Sequence, residues 1–279
     1  MKHIFVNFKR FDVPKELGGV NSLAPMEVWA KTIVEGVSEG LEQYKDSDTE
    51  FAMYFPEAHL LGAVAAQKEE SLLAVGSQGV YRGDTVVGGN FGAFTSNLTA
   101  NAASAIGCTS TIIGHCEERN DKTSVLAEAG VEDTAAVNRL LNKSVKCAVN
   151  AGLTVLYCIG EKSDEQDRWQ EVLREQIEVG LEGIDSSKVC IAYEPVWAIG
   201  PGKTPPDKAY ITKIAKYVKE ITGGIDVVYG GGLKQDNAGM LASIEEIDGG
   251  LIALTRFIGD IGFYPEEYLE IVNIYMESL

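Results

Sequence analysis

Val189-Cys190-Ile191-Ala192-Tyr193-Glu194 is a short run of apolar residues that stops at Pro195. Val196-Trp197-Ala198-Ile199-Gly200-Pro201-Gly202-Lys203 follows, and then Thr204-Pro205-Pro206-Asp207. Consecutive apolar positions suit a strand covered on both faces, so Val189–Glu194 reads as a buried parallel strand. The Gly- and Pro-containing segment reads as a loop. Thr204 then reads as the N-cap of a helix, with Pro205 at its first position and Asp207 favourable to the helix dipole. This one stretch contains a complete strand–loop–helix unit.

Working outward, the same unit recurs. Further strand-like runs are His3–Asn7, Phe51–Phe55, Leu72–Gly76, Ser110–Gly114, Thr154–Ile159, Asp226–Gly230 and Gly250–Leu254. Between them lie helical patterns. Ser163–Gly183 places Trp169, Val172, Leu173, Gln176, Ile177, Gly180 and Leu181 at i, i+3, i+4 spacing. Thr134–Gly152 ends on a glycine suited to a C-cap. Pro25–Tyr44 reads as a long helix, Asn97–Gly107 and Gln235–Ser243 as shorter ones, and Tyr264-Pro265 opens the last. Strands alternating with helices, with no linker, indicate a parallel α/β fold. The 279 residues suit one large domain of this type, spanning 1–279. Pattern alone leaves a closed barrel and an open doubly wound sheet both standing.

Composition narrows the function. A formal net charge of -17 repels nucleic acid and anionic membranes, so any anion site must be built from local donors. No apolar run approaches the roughly 20 residues of a membrane span, and MKHIFVNFKRF reads as an opening strand, not a secretory signal. Cys108, Cys116, Cys147, Cys158 and Cys190 are odd in number and well separated, which predicts reduced thiols and a cytoplasmic protein. No metal is expected, because His3, His59 and His115 are the only histidines and none stands at ligand spacing from another. Gly200-Pro201-Gly202-Lys203-Thr204 resembles the end of a phosphate loop, but the first glycine of that motif would fall on Trp197.

The informative residues stand at strand ends, where parallel α/β folds hold their ligands. These are Asn7-Phe8-Lys9, Gly114-His115-Cys116-Glu117-Glu118-Arg119, Tyr193-Glu194-Pro195 and Tyr229-Gly230-Gly231-Gly232. Singly, each has an ordinary reading as a solvated charge, a hydrogen-bonded interior histidine or a tight turn. Their joint occurrence, in order, at the ends of different strands carries the functional reading.

YEPVWAIGPGKTP resembles the catalytic strand and lid of the triosephosphate isomerase family, and NFK, IIGHCEER and YGGGL resemble that family's other signatures. GAFT (Gly92–Thr95) and YCIGE (Tyr157–Glu161) also match, so the resemblance runs from Asn7 to about Asp248. It implies a (β/α)8 barrel and an isomerase interconverting dihydroxyacetone phosphate and D-glyceraldehyde 3-phosphate through an enediolate, with no cofactor. Glu194 would be the base and His115 the neutral electrophile, its charged form disfavoured by a helix N-terminus at Cys116–Asn120. Lys9, positioned by Asn7, would supply positive charge, with Glu117 its ionic partner or proton handler. Val196–Lys203 would form the lid, the Gly200 amide reaching the substrate phosphate. The Thr95 loop would enter a neighbouring subunit's site in a homodimer.

Four departures stand out. Gly232 replaces a serine of the phosphate cradle. Ala253 and Leu254 replace a glycine pair, and Thr255-Arg256 and a longer segment through Phe257–Phe263 follow. The loops Arg10–Ala24 and Ser77–Asn90 are extended. Glu118 and Asn97 stand where the family carries an Arg and an acidic residue that pair across the dimer, which predicts a Glu118–Asn97 hydrogen bond instead. The remodelled phosphate end makes Arg256 a candidate phosphate ligand. It also raises two alternatives: an isomerase of a related ketose such as a tetrulose phosphate (erythrulose phosphate), or a non-enzymatic paralogue.

Overall fold

The computed structural model describes residues 1–200 and 202–279; Pro201, within the expected lid, lies outside them. Among the described residues the strands are β1 (Lys2–Asn7), β2 (Thr49–Phe55), β3 (Leu73–Ser77), β4 (Ser110–Ile113), β5 (Thr154–Ile159), β6 (Val189–Tyr193), β7 (Val227–Tyr229) and β8 (Gly249–Ile252). They pair in parallel and in sequence order, and β1 pairs with β8 to close the sheet. The ambiguity left by pattern is thereby resolved as a (β/α)8 barrel.

Alternation along the strands builds two apolar layers. Phe5, Ala52, Tyr54, Ile112, Leu156, Cys158, Ala192, Val228 and Leu251 fill the barrel. Their neighbours, such as Ile4, Val6, Met53 and Ile191, face the surrounding helices. These are α1 (Trp29–Leu41), α2 (Leu60–Ala66), α3 (Ala100–Ile106), α4 (Cys116–Glu128), α5 (Thr134–Asn150), α6 (Trp169–Gly180), α7 (Lys208–Thr222), α8 (Ala238–Ala242) and α9 (Pro265–Glu277). No helix among the described residues is long and apolar enough to cross a membrane.

Three sequence expectations need correction. The helix after the lid starts at Lys208, not Pro205: the Asp207 carboxylate accepts from the Tyr210 amide and caps it, while Thr204–Pro206 lie outside the helix. Ser163–Arg168 forms a separate 3-10 turn before α6. β8 ends at Ile252, two residues early, because the chain beyond it folds on itself as a small hairpin in which Arg256 pairs with Gly262.

Two ionic clusters around the buried His3 and His59 were not foreseen. At the N-terminal end of the barrel the His3 ring lies 2.9 Å from both Glu50 Oε2 and Asp226 Oδ2, joining β1 to β2 and to the residue before β7. In the long first loop, fully buried Asp12 accepts from Arg10 at 3.0 and 2.7 Å and lies 3.0 Å from His59 Nε2. Lys15 of that loop pairs with Asp260 of the β8 hairpin at 2.7 Å, so the two extended segments form one wall beside the barrel mouth.

Candidate active site

A cavity of about 680 Å³ opens at the C-terminal ends of the strands. Asn7, Lys9, His115, Glu194, Gly200 and Gly232 all line it. The barrel thus gathers residues up to 225 positions apart in the chain, as expected where side chains leave strand ends in one direction.

Each side chain is held by its local backbone. Asn7 is buried, and its Oδ1 accepts from the Lys9 amide at 3.0 Å. Lys9 has φ +44°, a conformation uncommon for a residue with a side chain, which the Asn7 contact and the Gln78 side chain on its carbonyl (2.9 Å) maintain. Its ammonium donates to Glu117 Oε1 at 2.7 Å. Burial alone would raise the Glu117 carboxyl, but the Lys9 contact outweighs it and lowers the pKa.

His115 is the N-cap of α4: its Nδ1 accepts from the Glu117 amide at 3.3 Å. The turn that carries it is tied to β5 by Arg119, which donates to the carbonyls of Gly114 (2.7 Å) and Cys158 (2.9 Å) and to Asn138 Oδ1 (2.7 Å). Glu194 is 1% exposed. The Cys116 amide donates to its Oε2 at 2.9 Å, whereas Oε1, 2.9 Å from His115 Nε2, has no hydrogen-bond donor aligned with it. Burial disfavours the charged imidazole, but the adjacent Glu194 carboxylate outweighs burial and raises the His115 pKa to about 10. The expectation of a neutral ring is therefore not met with the two groups in contact. The backbone donor on Nδ1 acts the other way, since a proton there would oppose the Glu117 N–H.

Glu161 holds Trp197, at the start of the expected lid. It is fully buried, and Oε1 accepts from Tyr193 (2.9 Å), Trp197 Nε1 (2.7 Å) and Tyr210 (3.0 Å). The sequence motifs include Glu161 and Arg119 without assigning them a task; Gln78 stands in none of them. Most of their partners lie on other elements of the fold, such as Tyr193 for Glu161, Cys158 for Arg119 and Tyr54 for Gln78, which no local pattern marks. One ring nitrogen of His115, the Cys116 sulfur and a Glu194 oxygen lie within 4.8 Å of one another. Among the described residues this is the set with the donor types and closeness to hold a metal ion, although two of its members, His115 and Glu194, already contact each other.

The triosephosphate isomerase family model matches residues 27–273. This chain belongs to the triosephosphate isomerase family. The triosephosphate isomerase of Syntrophotalea carbinolica is 32% identical over 257 residues, covering 88% of this chain and 91% of its own. That of Parasynechococcus marenigrum is 32% identical over 217 residues (76% and 79%), and that of Geobacter metallireducens 39% over 174 residues (58% and 64%). A crystal structure of triosephosphate isomerase from Bartonella henselae superposes with a TM-score of 0.72 over 99% of both chains at 21% identity, a likeness that bears on fold alone.

Against that family background one expectation fails. Arg256 does not line the cavity: its Nε donates to Glu267 Oε1 at 2.7 Å, Nη2 contacts the same oxygen, and the guanidinium lies 3.9 Å over the Tyr264 ring. The nearby carboxylate and ring claim it before any substrate does. Within the chain Glu118 accepts from the Gly114 amide at 2.7 Å and pairs with Lys122 at 2.9 Å, while Asn97 donates to the Thr95 carbonyl at 3.0 Å.

Proposed function

We propose that this protein interconverts dihydroxyacetone phosphate and D-glyceraldehyde 3-phosphate. One observation carries the reading most directly: the buried Glu194 carboxylate lies 2.9 Å from the His115 ring in the wall of a cavity that also holds Lys9. Glu194 Oε1 takes a proton from one carbon of the substrate and returns it to the neighbouring carbon. The oxygens of the enediolate lie toward His115 Nε2–H and the Lys9 ammonium, donors already in place before charge develops. A substrate seated between His115 and Glu194 parts the ion pair. It thereby removes the main cause of the raised His115 pKa and leaves the neutral ring that the Glu117 amide favours. Asn7 and Gln78 hold Lys9, and Glu117 balances its charge. The lid, anchored through Trp197, closes to exclude water and brings Gly200 to the phosphate. The relatives described above carry the triose name, which favours the triose over a tetrulose phosphate.

We further place the protein in the cytoplasm as a homodimer. Its five cysteines are unpaired, in keeping with a reducing compartment. Val86, Val87 and Phe91 are 65%, 105% and 92% exposed on the extended loop that carries Thr95. Such grouped exposed apolar side chains suit burial against a second copy.

Steady-state turnover of glyceraldehyde 3-phosphate by the wild type and Glu194→Gln tests the activity. The variant is expected to lose at least about 10²-fold in kcat. A wild type without turnover, or a variant equal to it, would overturn the assignment.

A further inference from the structure

We infer that Lys234 is the cation of the phosphate subsite, taking over from the serine hydroxyl and glycine pair that this chain lacks. The inference rests on the isomerase reading and adds a specificity-determining residue to it. Lys234 lines the same cavity as Lys9, Glu194 and Gly200. Its side chain runs beside Gly232: a Cβ added there would lie 3.5 Å from Lys234 Cε, so the lysine stem borders the place of the missing serine side chain. Gly232 has φ +100°, a conformation that a serine at this position would hold only under strain.

The extended segment after β8 completes the arrangement. Lys234 Nζ lies 4.3 Å over the ring of Phe257, another residue of the cavity wall. That contact orients the ammonium, and it is weak enough to be supplemented by a dianion. The turn beneath is held by Asn237, whose Oδ1 accepts from the Lys234 amide at 2.8 Å and whose Nδ2 donates to the Gly232 carbonyl at 2.9 Å. Among the described residues no carboxylate pairs with Lys234, whereas Lys9 is held by Glu117 and Arg256 by Glu267. Lys203, which also lines the cavity, sits on the lid. Among the described residues that line the cavity, Lys234 is therefore the unpaired cation that does not sit on the lid. In a chain of net charge -17 such a cation at an otherwise apolar wall of Leu233, Leu254 and Phe257 suits an anion.

The test compares the wild type, Lys234→Met and Lys234→Arg. Lys234→Met keeps an aliphatic stem against Gly232. It is expected to lower kcat/KM for glyceraldehyde 3-phosphate by about tenfold or more, chiefly through KM, as for a lost charge-assisted hydrogen bond. The inhibition constant of inorganic phosphate should rise by a similar factor. Turnover of unphosphorylated glyceraldehyde should stay unchanged, and Lys234→Arg should recover most of the loss. An unchanged phosphate constant in Lys234→Met would overturn the inference, as would an equal loss with unphosphorylated glyceraldehyde. Should the wild type not turn over triose phosphate, the isomerase reading falls, and calorimetric titration of wild type and Lys234→Met with inorganic phosphate still decides whether Lys234 binds the anion.

Discussion

The position of Glu194, the proposed catalytic base, rests on a backbone approach that one methyl group would break. Gly160 follows β5, and an ideal Cβ there would lie 1.8 Å from the carbonyl oxygen of Glu194 and 3.1 Å from Val196 Cγ2. Non-bonded carbon and oxygen keep more than about 3 Å apart, so Gly160→Ala must part the two backbones by more than about 1 Å. Neither side slides freely: the Glu194 amide donates to the Ile159 carbonyl at 2.7 Å, and the Gly160 amide to Gln176 Oε1 at 2.8 Å. A displacement of about 1 Å at a reacting group costs on the order of 10²-fold in rate. The overpacking itself costs about 1–3 kcal/mol, which lowers the melting temperature by several degrees. Gly40→Ala separates the two effects. Its Cβ would lie 2.5 Å from Leu269 Cδ1, where α1 meets α9 away from the cavity, so it should destabilise without changing kcat. The assay is kcat for glyceraldehyde 3-phosphate beside thermal unfolding of both variants. A Gly160→Ala enzyme within about threefold of wild-type kcat would refute the reasoning, because Glu194 would then tolerate the shift.

Other expectations follow from the same contacts. Glu161→Ala leaves the buried donors of Tyr193, Trp197 and Tyr210 without their shared acceptor; urea unfolding should show a loss of about 3 kcal/mol or more, and a loss within 1 kcal/mol would contradict the anchor. For His3, burial opposes the charged ring, but the Glu50 and Asp226 hydrogen bonds outweigh it and raise the folded pKa above 6.5. The stability it contributes is thus fully present below its unfolded pKa and lost as pH rises through the folded value. The wild type should exceed His3→Gln in stability at pH 6 and approach it at high pH, and a gap that widened with pH would sink this account. Val87→Asp places a charge on the exposed apolar loop; sedimentation should show it monomeric with reduced kcat, and a fully active monomeric wild type would dismiss the dimer.

Much of the strand framework was legible because it is local. Runs such as Thr154–Ile159 are apolar at consecutive positions, and a strand buried on both faces leaves little other pattern. Helix ends were less legible where two caps competed: Thr204 and Asp207 both suit the role, and only the Tyr210 contact selects Asp207. The candidate residues Asn7, Lys9, His115 and Glu194, which line one cavity, were identifiable by type and order at the strand ends. Their protonation was not, since the His115 pKa depends on Glu194, 79 positions away in the chain.

What the sequence determined by itself is the alternation of strands and helices and the candidate set Asn7, Lys9, His115, Glu194 with its proposed lid, because periodicity and motif order are properties of neighbouring residues. Closure of the barrel, the capture of Arg256 by Glu267 and of Glu118 by Gly114 and Lys122, and the placing of Lys234 between Gly232 and Phe257 were decided by tertiary structure. Each depends on which charge, ring or amide lies nearest in space, and a charged side chain takes the best partner within its reach.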